Sequence, residues 1–200
     1  MTTFFTSDTH WGHKFVAGLR GYDDPAEMSD ELVRRWNEVV SPDDTVYHLG
    51  DVVLGGFEKN KHYISQVNGY KILVAGNHDR CFYGLKNYVD KDVKYREAGF
   101  DEVYYGNPME LIVPGAGVVT ISHYPAESDG RHEDYQDRFL VKNYSGALVH
   151  GHVHDLWRVN GTQFNVGVDV WGGYPVPDSL LAQAIANPED FTDFVPWKKA

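Results

Sequence analysis

VAGNHDR, Val74 to Arg80, places a glycine, an amide, an imidazole and a carboxylate directly behind the apolar run Ile72-Leu73-Val74-Ala75. Such a run followed by Gly-Asn reads as a buried strand and the turn that ends it. Taken alone, the cluster is an ordinary turn. The arrangement recurs, however, along the chain: Thr3-Phe4-Phe5-Thr6 before Ser7-Asp8, Thr45 to Leu49 before Gly50-Asp51, Val118 to Ile121 before Ser122-His123, and Ala147 to Val149 before His150-Gly151-His152. In open sheets and sandwiches, sites gather at the ends of neighbouring strands, so these polar ends are able to meet in space.

Helical patterns lie between the strands. Ser29 to Val40 carries Leu32, Trp36, Val39 and Val40 at helical spacing, with Ser29 as the expected N-cap and Ser41-Pro42 as the stop. Glu58 to Val67 reads as a weaker helix, and Asp178 to Ala186 as a last one. Leu156 to Val159 and Thr162 to Val166 flank Asn160-Gly161, which predicts a hairpin with a type I′ turn at that pair. Strand-helix alternation followed by antiparallel strands points to an α/β sandwich.

The 200 residues are 42% hydrophobic, enough for one sizeable core, and a single domain over 1–200 is expected. No apolar run approaches membrane-spanning length, and the start MTTFFTSDTH lacks the pattern of a signal peptide, so a cytoplasmic protein without a membrane partner is expected. Cys81 is the single cysteine, which rules out an internal disulfide and a thiolate metal cage and reads as a loop thiol. The net charge of −11 repels polyanions and disfavours capture of long nucleic acid.

The strand ends together present Asp8-Thr9-His10, Gly50-Asp51, Gly76-Asn77-His78-Asp79, Ser122-His123 and Gly151-His152-Val153-His154. Carboxylates, one amide oxygen and imidazoles suit Mn, Fe, Zn or a related divalent ion and are too rich in nitrogen for Ca²⁺ or Mg²⁺ alone. Asp-x-His and His-x-His in an extended chain place alternate side chains on one side. Each residue alone is more often a turn residue satisfied by backbone; the ordered set is not, because clustered polar groups without a cation would be poorly compensated.

The motifs DTH, GD, GNHD, SH and GHVH, in this order from Asp8 to His154, resemble the calcineurin-like metallophosphoesterase family. SDTHWGHKF, YHLGD and SHYP are similar to its small phage and bacterial members. The resemblance implies a sandwich of two mixed β-sheets flanked by helices and a centre of two divalent ions, with Mn, Fe, Zn or Ni as candidates. Asp8, His10 and His154 would hold one ion, Asn77, His123 and His152 the other, and Asp51 would bridge them, since a carboxylate has two oxygens to share where an imidazole has none. The implied reaction is hydrolysis of a phosphoester by hydroxide held between the ions. His78 would touch phosphate and protonate the leaving oxygen, and Asp79 would orient His78 and favour its imidazolium form. Gly76 would allow the tight turn between strand and ligand.

Gly50 to Gly56 lacks the Arg that protein phosphatases of this superfamily carry shortly after Gly-Asp, which argues against a phosphoprotein and for a phosphodiester or a small phosphorylated metabolite, the phosphodiester being the expected class. A phosphomonoesterase acting on a small metabolite and a non-catalytic metal-binding scaffold of the same fold are the alternatives. Around the motifs, His150 reads as a residue that supports a ligand or packs in its strand, His13 as a group near phosphate or a carboxylate, and Arg80 as a surface residue or a phosphate contact. His48 reads as a hydrogen-bonded core group, and His62 and His132 as solvent-facing. Trp11, Tyr124 and Trp171 read as packing residues that could also stack on a substrate ring. Asp169 lies in a closing segment, Asn165 to Asp169, that resembles one supporting the site in related phosphoesterases, and is assigned no ligand role.

Overall fold

A computed structural model describes residues 1–128, 130 and 134–199. His132 therefore lies outside the described residues. Two five-stranded sheets pack face to face. In the first, β1 (Thr3–Thr6), β2 (Thr45–His48), β3 (Tyr70–Val74) and β4 (Glu102–Tyr104) run parallel, and β10 (Val176–Pro177) closes the edge beside β1 antiparallel. The second orders as β5 (Met109–Val113), β6 (Gly117–Ile121), β7 (Ala147–His150), β9 (Gln163–Asn165) and β8 (Val159–Asn160), with β6, β7 and β9 parallel.

Strand periodicity divides the apolar residues between two cores. On β1, Phe5 joins Leu49, Val74, Val119, Ile121, Val149 and Phe164 between the sheets, while its neighbour Phe4 faces the helices with Val46 and Leu73. That second core receives Val16 of α1 (Lys14–Leu19), Met28, Leu32 and Trp36 of α2 (Pro25–Val39), and Tyr95 of α5 (Asp92–Ala98). Trp11 and Tyr124 are buried there too, so both are packing residues, and Trp171 packs against the inter-sheet core.

Three local expectations shift. Helix α2 begins earlier than the apolar pattern does: Asp24 is its N-cap, accepting from Ala26 N at 2.9 Å, and Pro25 occupies the first turn. Ser29 is instead an interior residue whose hydroxyl donates back to Pro25 O at 2.7 Å and accepts from Gly12 N at 3.0 Å. The Glu58–Val67 pattern forms two short helices, α3 (Phe57–Asn60) and α4 (His62–Gln66), with His62 exposed. The hairpin pairs Val159 with Phe164 and Asn160 with Gln163, so Gly161 and Thr162 make the turn and Asn160 belongs to the strand. Its first arm is only two residues long because Trp157 O is taken by the Asn165 amide at 2.8 Å and Arg158 O by Asn165 N at 2.8 Å. The last helix, α6, spans Asp178–Ala186 as expected. Among the described residues, no helix is long and apolar enough to cross a membrane.

Candidate metal centre

The registers Thr6↔His48, His48↔Leu73 and Ile121↔Val149 bring the C-terminal ends of β1, β2 and β3 level, and likewise those of β6 and β7. Backbone bonds then tie the loops together: Asp8 N donates to Gly50 O at 3.0 Å, His10 N to Asp51 O at 3.0 Å, and Gly151 N to His123 O at 3.1 Å. Bonds also cross between the sheets, among them His152 N to Asp8 Oδ2 at 3.0 Å and His123 Nδ1 to Leu49 O at 2.7 Å.

Asp8, His10, Asp51, Asn77, His123, His152 and His154 all reach this place. Asp51 Oδ2 lies 3.7 Å from His10 Nε2, 3.6 Å from His123 Nε2 and 3.9 Å from His78 Nε2, while Oδ1 accepts from His78 N at 2.9 Å. His123 Nε2 and His152 Nδ1 stand 3.0 and 3.1 Å from Asn77 Oδ1 and 3.2 Å from one another. The rings of His10 and His154 stack with centroids 5.0 Å apart. Asp8, His10 and His154 form one group able to hold a metal, and Asp8, Asp51 and His123 another.

The side chains do not converge through an extended chain. Asp8, His10, Asp51, His152 and His154 have φ of 59°, 47°, 59°, 71° and 49°, so the ligand loops after β1, β2 and β7 turn through left-handed backbone that costs a residue with a Cβ on the order of 1–2 kcal/mol. Strain of this kind, gathered at one point, persists only where surrounding bonds over-determine it. Gly76 matters for closeness instead of for φ, because a Cβ there would overlap Asp51 Oδ1.

The donor chemistry fits cations. Asp8 Oδ1 and both His10 nitrogens are buried with no hydrogen-bond partner. Burial, with His154 and Arg20 nearby, holds His10 well below the usual histidine range, so its ring is neutral and free to ligate. Burial also pushes the Asp8 carboxyl up. A carbonyl only accepts, so His123 must donate Nδ1–H to Leu49 O, which leaves the lone pair of Nε2 facing Asn77 Oδ1. His154 likewise donates Nδ1–H to Asp169 Oδ2 at 2.9 Å and presents Nε2 to the centre. Burial lowers His154, but its Asp169 bond and the Asp8 charge outweigh this and set it at about 9. Binding a cation at Nε2 must therefore displace a proton near neutral pH.

Residues 1–156 match the family Calcineurin-like phosphoesterase, which is more than three-quarters of the sequence. The chain belongs to that family. Among its relatives, the Gene 66 protein of Mycobacterium phage L5 is 33% identical over 184 residues, covering 85% of this chain and 87% of that protein. An uncharacterized protein of Methanocaldococcus jannaschii is 24% identical over 193 residues, covering 91% and 90%. A crystal structure of a protein of unknown function from Aquifex aeolicus superposes with a TM-score of 0.67 at 28% identity, covering 91% of this chain and 98% of that one. The two-sheet sandwich flanked by helices is thus the calcineurin-like phosphoesterase fold.

Within this family frame the surrounding residues take definite places. His78 is exposed at the edge of the centre. Asp79 corrects the expected pairing: its carboxylate points inward, accepting from Asp51 N at 2.7 Å, Gly76 N at 2.8 Å, Val52 N at 3.2 Å and the Tyr95 hydroxyl at 3.3 Å. It does not orient the His78 ring; it splices the Asp51 and Asn77 loops, whose free N–H groups outbid a solvent-facing imidazole. Burial and the Asp51 charge raise Asp79 to about 6 against those backbone bonds.

His48 is the core group expected: Gly50 N donates to its Nδ1 at 3.2 Å, so Nε2–H donates to Thr9 Oγ1 at 3.0 Å. His150 is buried in β7 and donates Nδ1–H to Gly151 O at 2.7 Å. His13 borders the centre with its ring 6.0 Å from that of His10. Arg80 is exposed, with its guanidinium 5.7 Å from the Phe57 ring. Cys81 sits in a loop yet is buried, and burial pushes its thiol up. The sequence reading missed Arg20, which donates to Asp169 Oδ1 through Nε at 2.7 Å and to Oδ2 through Nη2 at 2.8 Å. No motif marks it; the nearest signal was the closing segment that ends in Asp169.

Proposed function

We propose that the protein is a binuclear metal-dependent phosphodiesterase. Asp8, His10 and His154 hold one divalent ion, Asn77, His123 and His152 hold the second, and Asp51 is shared. The observation that carries this reading is the position of Asp51, whose Oδ2 lies within 3.7 Å of a ring nitrogen from each set, His10 on one side and His123 on the other. Two divalent ions from the Mn, Fe, Zn and Ni group would supply Lewis acidity toward a phosphoryl oxygen and lower the pKa of a bound water.

The chain's own residues do the rest. A cleft of about 430 Å³ opens beside the centre, and its lining includes His10, His78 and His154 together with Phe15, Leu19 and Lys198. His78 donates a proton to the leaving oxygen, a role supported by its exposure and its position 3.9 Å from Asp51 Oδ2. Asp79 acts by fixing the Asp51 and Asn77 loops.

Charge favours a diester over a monoester. Of the arginine and lysine side chains lining the cleft, Arg20 is paired with Asp169, which leaves Lys198, whose ammonium also bonds Leu19 O, as the fixed positive charge beside the ions. A diester carries a single negative charge, and exposed Phe15 and Leu19 provide apolar contact for an organic substituent. The net charge of −11 favours a small substrate over long nucleic acid.

The test is hydrolysis of bis-p-nitrophenyl phosphate and p-nitrophenyl phosphate by metal-stripped protein, with Mn²⁺, Ni²⁺, Co²⁺, Zn²⁺ or Mg²⁺ restored. Faster metal-dependent cleavage of the diester supports the reading. Faster cleavage of the monoester replaces it with a phosphomonoesterase, and no turnover with any ion leaves a metal-binding scaffold.

A further inference from the structure

Arg20 is 1% exposed, and a guanidinium buried to that degree must satisfy its donors within the protein. Besides the two bonds to Asp169, its Nη2 donates to Asp8 O at 2.7 Å and its Nη1 to Thr9 O at 3.0 Å. One fork therefore holds the backbone that presents Asp8 and His10, and also the carboxylate that aims His154. Asn77, His123 and His152 receive no bond from it.

The left-handed turns at Asp8 and His10 give this contact its consequence. With φ of 59° and 47° both residues lie where a Cβ is disfavoured, and the two carbonyl bonds from Arg20 are part of what holds them there. The C-terminal segment closes over the arrangement. Trp197 N donates to Asp169 O at 2.7 Å, Lys199 N to Arg20 O at 2.8 Å, and the Trp197 ring lies 5.4 Å from the guanidinium.

We propose that Arg20 is a positioning residue for one half of the metal centre, holding Asp8, His10 and His154 in ligating geometry and leaving the Asn77, His123 and His152 half to stand without it. The proposal rests on the division of ligands given under the proposed function. It requires arginine in particular, because a lysine ammonium can pair with Asp169 but cannot at once reach Asp169, Asp8 O and Thr9 O in the geometry of a planar fork.

Arg20→Lys and Arg20→Met are compared with the wild type by calorimetric titration of Mn²⁺ into metal-stripped full-length protein, by bound metal after desalting, and by the EPR spectrum of the Mn²⁺-loaded form. The wild type is expected to take up two ions. Arg20→Lys is expected to fold with a lowered melting temperature, because buried acceptors lose their donors, to bind one ion normally and to bind the other about 10–100-fold more weakly, the usual cost of losing a group that orients a ligand. The EPR signal of a coupled pair then gives way to that of an isolated Mn²⁺. Adding Asn77→Ala to Arg20→Lys removes the remaining ion.

Two ions bound by Arg20→Lys with wild-type affinity overturn the proposal. So does equal weakening of both ions, or loss of the fold in Arg20→Lys, since either assigns Arg20 to general stability. A wild type that binds fewer than two ions overturns the binuclear reading and this inference with it, whereas an intact wild-type pair with an indifferent Arg20→Lys overturns this inference alone.

Discussion

Asp51 stands between the two groups of ligands, with Oδ1 fixed by His78 N while Oδ2 faces the ring nitrogens of His10 and His123. Asp51→Asn replaces an oxygen by an N–H₂ group that donates and repels a cation. The expected result is loss of both ions, read as bound metal per chain. His78→Ala, by contrast, removes a group outside the ligand set: metal content stays at the wild-type level and turnover falls by roughly 10²–10⁴-fold, the usual contribution of a general acid, most steeply for esters with poor leaving groups. Metal loss in His78→Ala would sink its assignment as the acid. At this scale the motifs were legible because each donor sits next to its neighbours in sequence. The inward turn of Asp79 was not, because its partners include Asp51 N, 28 residues away, and Tyr95, 16 away.

Strand ends were legible for a similar reason. A short apolar run that stops at a polar cluster marks its own end, and β1, β2, β3, β6 and β7 all overlap such runs. Helix α2 shows where that logic fails, since an apolar stripe marks only the buried face and not the first turn. Asp24-Pro25 lies before the stripe and starts the helix. Asp24→Ala is expected to cost about 1 kcal/mol and Asp24→Asn only a fraction of that, because asparagine caps nearly as well. Urea denaturation of the two variants measures the difference; equal stability of Asp24→Ala and wild type would show that the cap contributes nothing. The hairpin shows the same limit in another form, because Asn160-Gly161 states a preference for a turn while the pairing of β8 with β9, set by the Asn165 bonds, moves that turn one residue on.

Across the whole molecule, buried neutral histidines tie stability to pH. Burial lowers His48 from 6.5 to about 3 and His150 from 6.5 to about 4. Both folded values lie below the unfolded one, so their contribution is full above pH 6.5 and is lost as pH falls toward 4 and then 3. Each histidine gives up on the order of 1.4 kcal/mol per pH unit in that window. These two histidines are therefore expected to lower the melting temperature of the metal-free protein between pH 7 and pH 5, partly offset by Asp79, whose carboxyl raised to about 6 gains stability as pH falls, and His48→Asn, though less stable at pH 7, to show a shallower drop. An unchanged slope in that variant would remove His48 from the account. By itself the sequence determined the sandwich, the order of its strand ends and the donor residues those ends carry, because alternation, turn residues and donor chemistry are local properties of the chain. Tertiary structure alone decided which donors meet, that left-handed loops bring them together, and that Arg20 and Asp169, 149 residues apart, hold one side of the centre. The reason is physical: register and long-range hydrogen bonds depend on how both cores pack, and packing couples residues that no local pattern relates.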